Sequence, residues 1–282
     1  MVLARHGHGA NAVVRAYLSQ VHPVFMLPPI AAAAFGAILA GEVFPAGAVL
    51  HVTAIFAAVY TAHIKDGYVD FYHRGEDDDH PLTVTGCHVG LVFASALFFG
   101  CLIGLYIVID LWAVLLTLPG WLIGYLHAPQ LDTSPVTTTF GYPTGIAIAI
   151  LGGYYVQVQA LTAEAIVLAA VFLVLLGGVK IVDDLQDYDW DAANAKYSMG
   201  VAIGVANAHR LSLGLMVSAL VGIVLFDLLD LIPSGSGLAA GVFLPVLFLA
   251  RTREPTVGTM LLIRGSYLFL AVLIAIAWFE PL

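Results

Sequence analysis

Long apolar stretches alternate along this chain with short polar segments. Crossing the hydrocarbon core of a bilayer takes ~17–25 predominantly apolar residues per helix. Nine stretches approach that length, at about 24–42, 46–65, 87–109, 110–127, 141–160, 163–182, 208–226, 236–250 and 260–279. The segment from Cys87 to His127 has one formally charged residue, Asp110, so it suits two helices of ~20 residues joined by a tight hairpin there. The pattern predicts an all-α integral membrane protein, a bundle of nine transmembrane helices.

Composition agrees with this. Hydrophobic residues make up 61% of the chain and charged residues 10%, with a mean hydropathy of +0.96, which excludes an ordinary soluble domain. Charge then orients the bundle. With the N-terminus inside, Arg5, Arg15, Lys65, Arg74, Lys180, Lys196, Arg210, Arg251, Arg253 and Arg264 all fall in or beside cytoplasmic segments. The opposite loops hold Glu42, Asp110, Glu164, Asp227, Asp230 and Glu280 without Lys or Arg. This is the positive-inside pattern, and an odd number of crossings leaves the C-terminus outside. The first twenty residues lack the apolar centre and cleavage site of a signal peptide. Cys87 and Cys101 lie about 21 Å apart along one predicted helix and do not pair. The net charge of −9 argues against a nucleic-acid partner.

Eleven of the nineteen acidic residues fall in two segments, Asp66 to His80 ("DGYVDFYHRGEDDDH") and Asp183 to Asp191 ("DDLQDYDWD"). Each begins where an apolar helix reaches the cytoplasmic side, and four predicted crossings separate them, so both emerge on one face. Asp66 and Asp70 are four residues apart, as are Asp183, Asp187 and Asp191 in succession. On a continuous helix each set stacks on one side. Like charges at that spacing destabilise a helix unless something offsets them. Mg²⁺ does so well, because it takes carboxylate oxygens and completes its shell with water and substrate phosphates. A solvated acidic loop is the bland alternative, and the "EDDD" run at Glu76 to Asp79 reads that way for most of its residues. An ion-coupled transporter is the functional alternative, since carboxylates in membrane helices also mark ion pathways. Transporters place such charges near the midplane of broken helices, whereas these sit at helix ends.

The second segment reads D-D-x-x-D-x-x-x-D from Asp183, followed by Lys196, Ser198, Met199 and Gly204. It resembles the second motif of the UbiA superfamily of intramembrane prenyltransferases, N-D-x-x-D-x-x-x-D then G-x-x-T-L and a further Gly. Asp66 and Asp70 match the first motif of that family, and "HPLTVTG" from His80 resembles its R-P-L-x-x-x-G. The resemblance covers nearly the whole chain, 1–282, as one domain. It implies a helical bundle around a central cavity and Mg²⁺-assisted transfer of an isoprenoid chain from its diphosphate to a lipid-soluble acceptor. Asp66, Asp70, Asp183 and Asp187 are then the expected catalytic metal-binding carboxylates, with Asp191 as a further metal ligand.

Diphosphate contacts are expected from Arg74, Lys180 and Lys196, and π-faces for an allylic carbocation from Tyr68, Tyr72 and Tyr188, with Tyr154 and Tyr155 as further candidates. Lys180 reads equally well as an ion-pair partner of the cluster. Arg74 stands where the family places a third carboxylate, unless Glu76 or Asp77 serves instead. His22-Pro23 replaces an Arg-Pro common before the first helix, and the loop from His127 to Pro143 lacks the cations that many relatives carry. The acceptor is read as an aromatic quinone precursor from a loose likeness of "DGYVDFYHRGED" to the dihydroxynaphthoate branch, with a carotenoid, a glycerol lipid or haem as alternatives.

Overall fold

The computed structural model describes residues 2–194 and 196–279. Their regular elements are helices, with no β-strand among the described residues: α1 (Ala10–Leu18), α2 (Pro23–Leu39), α3 (Pro45–Val69), α4 (Val84–Val108), α5 (Leu111–Leu126), α6 (Pro135–Val158), α7 (Ala163–Asp184), α8 (Tyr188–Ala193), α9 (Met199–Ile203), α10 (Val205–Leu228), α11 (Leu238–Ala250) and α12 (Pro255–Phe279). Each apolar stretch read from the sequence falls on a helix. By length and apolarity, five segments qualify as membrane crossings: Pro45–Arg74, Val84–Val108, Ala163–Ala193, Val205–Leu228 and Pro255–Phe279. The pair α1 and α2, bent by 67°, makes a sixth if counted as one span, and α5 and α11 are shorter apolar helices. The chain is an integral membrane protein.

Local sequence sets several helix starts. The Thr83, Asp110 and Thr162 side chains accept hydrogen bonds from the backbone N–H of Gly86, Ala113 and Ala165, satisfying donors that a helix start leaves free. Proline stands in the first turn of α2, α3 and α6, where its missing N–H costs nothing.

The core has two main parts. One packs α2, α6, α7, α10, α11 and α12 around Phe35, Phe172, Phe243 and Phe269. Phe172 meets Phe35 at 6.1 Å and Phe269 at 5.4 Å between ring centroids. The other packs α3, α4 and α5 with the end of α6 around Phe98, Leu102 and Leu105. In lipid, small residues that let backbones approach carry much of the helix association. Gly36 and Gly153 do this between α2 and α6: a Cβ on Gly36 would strike the Ile150 carbonyl oxygen, and one on Gly153 the Ala33 carbonyl oxygen. Gly36→Val should lower the thermal midpoint in detergent, by an overpacking cost of ~1–3 kcal/mol. An unchanged midpoint would show that α2 and α6 can separate freely.

An N-terminal strap crosses the end of this bundle. Arg5 N–H donates to the Pro81 carbonyl (2.8 Å) and Thr83 N–H to that of Leu3 (2.9 Å). His6 meets Asp79 at 2.8 Å. The strap fastens the loop after the first acidic segment.

Candidate active site

Between the two parts of the core lies a cavity of about 740 Å³ lined from α2, α3, α5, α6, α7 and α12. Its interior is apolar, with Ile55, Val59, Ile146, Leu176, Val179 and Ile263. Its polar end lies where α3 and α7 terminate. There Asp66, Asp70, Asp77 and Asp79 from the first segment join Asp183 and Lys180 from the second. The two acidic segments, more than a hundred residues apart in sequence, therefore share one wall.

The helix ends decide which carboxylates arrive. α3 runs on past Val69 into a five-residue π-helical turn, Asp70–Arg74, closed by Gly75 in the left-handed region at φ 65°. Asp66 and Asp70 both line the cavity. α7 instead stops at Asp184, and a 3₁₀ turn, Leu185–Asp187, leads into α8. The tighter turn breaks the 3.6-residue phase. The expected stack of Asp183, Asp187 and Asp191 consequently does not form: Asp187 is exposed, and Asp191 is fully buried outside the cavity wall. Lys196 Nζ lies 3.5 Å from Asp191 Oδ1. Burial works against the charge on Lys196, as does Lys180, yet Asp191, Asp184 and Asp132 outweigh both and hold its pKa above the usual lysine value.

The cations are engaged within the protein. Lys180 Nζ donates to Asp184 Oδ1 at 2.6 Å and to Asp183 Oδ2 at 3.0 Å. Asp184, which the spacing argument passed over, is buried, and its Oδ2 has no hydrogen-bond partner among the described residues. Lys180 still lines the cavity, so its ion pairs do not remove it from the wall. Arg74 differs. Its guanidinium donates to Asp70 Oδ1 (3.1 Å) and Asp132 Oδ2 (2.6 Å), and it lines a separate small pocket with Lys65, Tyr68 and His73. Two carboxylates hold it, and it lies outside the cavity wall in which a direct diphosphate contact was expected. Asp77 and Asp79 supply further carboxylates to the cavity.

The tyrosines also move. Tyr68 packs against Tyr72, His73 and His88, and Tyr72 donates its hydroxyl to the Leu82 carbonyl at 2.8 Å, so both belong to the packing between α1, α3 and α4. The Tyr188 ring lies beside Gly200, outside the cavity. Tyr155 donates to Asp110 at 2.7 Å, and Tyr154 meets Thr162, both at the opposite end of the bundle. Tyr142 and Tyr267, which no motif singles out, line the cavity in their place. So do His22 and His63, whose rings stack at 5.0 Å, and His127, 4.0 Å from Asp66.

No three His, Cys, Asp or Glu side chains among the described residues converge as a ready-made metal cage. Mg²⁺ does not need one, since it keeps several waters and binds through one or two carboxylates plus phosphate oxygens. The donor set of Asp66, Asp70 and Asp183, all hard oxygen ligands around one polar end, fits a divalent ion brought with a polyphosphate. Paired acids bridged by such an ion, at a hydrocarbon-lined cavity, would suit an amphiphile with an anionic head and an apolar tail.

No family model matches the chain. Among curated proteins it is 27% identical over 150 residues to 1,4-dihydroxy-2-naphthoate octaprenyltransferase of Escherichia coli (strain K12). That match covers 53% of this chain and 44% of the relative, so it spans less than half of the relative's length. The fold is shared over far more of the molecule. A structure of digeranylgeranylglyceryl phosphate synthase superposes with a TM-score of 0.73 at 15% identity, covering 95% of this chain and 98% of that one. A UbiA homologue from Aeropyrum pernix K1 gives 0.71 at 14% identity over 90% and 98%. One from Archaeoglobus fulgidus bound to GPP and Mg²⁺ gives 0.64 at 16% identity over 94% and 99%.

Proposed function

From the UbiA-superfamily fold that this chain carries, we propose that the protein transfers an isoprenoid chain from a prenyl diphosphate to a lipid-soluble acceptor with the help of Mg²⁺. The observation that supports this reading is the single cavity joining Asp66, Asp70, Asp183 and Lys180 to an apolar interior. The carboxylated end receives the diphosphate and the apolar interior the prenyl tail. Asp66, Asp70 and Asp183 would hold the Mg²⁺ ion, which would supply Lewis-acid stabilisation to the departing diphosphate. Lys180 adds a fixed positive charge at the same end, already oriented by Asp183 and Asp184. As the allylic C–O bond breaks, the Tyr142 and Tyr267 rings offer π-faces to the carbocation, each worth ~0.5–2 kcal/mol. The apolar wall excludes water, and the acceptor forms the new bond to carbon and releases a proton. The ion-coupled transporter reading has no support among the fold neighbours.

An aromatic quinone precursor is the acceptor we place first, since the curated relative's name carries a dihydroxynaphthoate. Purified protein given labelled geranyl diphosphate and such an acceptor should move the label into the acceptor. Label moving instead to a glycerol lipid would change the acceptor class, and no movement to any acceptor would remove the reading.

The whole chain, 1–282, forms one such domain, with nine crossings, the N-terminus and both acidic segments cytoplasmic, and the C-terminus outside. Asp78 and Asp189 are exposed, as is Ser234 between α10 and α11. With Cys87 and Cys101 replaced, single cysteines at Asp78 and Asp189 should react with an impermeant reagent from the cytoplasmic side, and one at Ser234 from the other. Labelling of the two acidic segments from opposite sides would contradict a shared site.

A further inference from the structure

Asp132 carries no motif and lies in the 3₁₀ turn Leu131–Thr133 between α5 and α6. Its side chain is 10% exposed, and its Oδ2 takes the shorter of the two Arg74 hydrogen bonds, 2.6 Å against 3.1 Å to Asp70. Its carbonyl accepts from Tyr197 N–H at 2.8 Å. One residue thus ties the α5–α6 turn to Arg74 within the first acidic segment and to Tyr197, just beyond the second. Asp70 lines the cavity, whereas Asp132 and Arg74 do not.

A guanidinium presents paired N–H donors that match both oxygens of a carboxylate. Left alone with Asp70 four residues away, Arg74 would close on it in that two-handed way. Asp132 takes one arm, so Asp70 gives Oδ1 alone to the arginine, and its Oδ2 has no hydrogen bond among the described residues. We propose that Asp132 is a positioning residue: by drawing Arg74 aside, it keeps an oxygen of Asp70 available to a divalent cation arriving with a diphosphate. This rests on the proposed function, in which Asp70 is a metal-side carboxylate.

The test is the Mg²⁺ dependence of geranyl diphosphate binding to the purified full-length protein, by titration calorimetry, with thermal midpoints in parallel. Asp132→Ala should weaken apparent Mg²⁺ affinity ~10-fold, the scale of one charge-assisted hydrogen bond, although Asp132 never touches the cavity. Asp132→Glu should restore it. The double variant Asp132→Ala with Arg74→Ala should return to within ~3-fold of wild type, because the competing cation has gone with the residue that restrained it. If Asp132→Ala is not recovered folded, Asp132→Asn keeps the shape without the charge, and its affinity should fall in the same direction. A lower midpoint with unchanged Mg²⁺ affinity would overturn the proposal, leaving Asp132 a fold-holding residue. A double variant as weak as the single would overturn it equally. Asp70→Ala separates the two readings: Mg²⁺-dependent binding that survives it removes the metal role of Asp70 itself, whereas binding lost in Asp70→Ala but intact in Asp132→Ala removes the Asp132 proposal alone.

Discussion

Prenyl transfer should fall at least ~100-fold in Asp183→Ala and likewise in Asp70→Ala, the scale of losing a principal group that stabilises developing charge. Both side chains face one cavity from different helices, so each removes part of the same anion-and-metal wall. The loss should appear in the rate of transfer with the protein still folded, because neither carboxylate holds the core together. Asp187→Ala should cost far less. Its side chain is exposed beyond the end of α7 and does not line the cavity. Equal losses in Asp183→Ala and Asp187→Ala would mean that α7 continues unbroken through the segment when substrate is present.

The second large effect is on stability. Lys180 is the partner of Asp184, whose side chain is 1% exposed. Removing one member of a buried pair leaves an uncompensated charge, at a cost of ~3–5 kcal/mol, whereas replacing both by apolar groups is often neutral. Lys180→Met should therefore lower the thermal midpoint sharply, and Lys180→Met with Asp184→Leu should recover most of it. The recovered double variant should remain poor at binding prenyl diphosphate, because the cavity has lost the Lys180 ammonium from its wall. Wild-type binding in that double variant would confine Lys180 to a structural role.

Much of this was legible in the sequence because membrane helices announce themselves by length. The apolar stretches fall on helices, and the convergence of Asp66 and Asp70 with Asp183 follows from both segments ending helices on one side. What failed did so at the helix ends. An i, i+4, i+8 stripe is a stack only on a continuous helix, and the 3₁₀ turn at Leu185–Asp187 sends Asp187 and Asp191 to different places. Asp184, adjacent to Asp183, was off that stripe, yet it is the residue that anchors Lys180. The second partner of Arg74, Asp132, lies 58 residues away in a loop, a contact that local spacing does not encode. Tyr68 and Tyr72 are near Asp70 in sequence, but the face of α3 and its extension that carries them packs on α1 and α4. Tyr142 and Tyr267 sit in apolar helices with no pattern to mark them. Burial inside a bundle leaves no periodic signature when the opposite face is equally apolar in lipid.

The most direct measurement is the binding of labelled geranyl diphosphate to the purified protein, with Mg²⁺ and after EDTA, in wild type and Asp183→Ala. Saturable binding that EDTA abolishes, that Mg²⁺ restores and that Asp183→Ala loses is the predicted result. Binding indifferent to both the chelator and the substitution would contradict a metal-diphosphate site at the ends of α3 and α7.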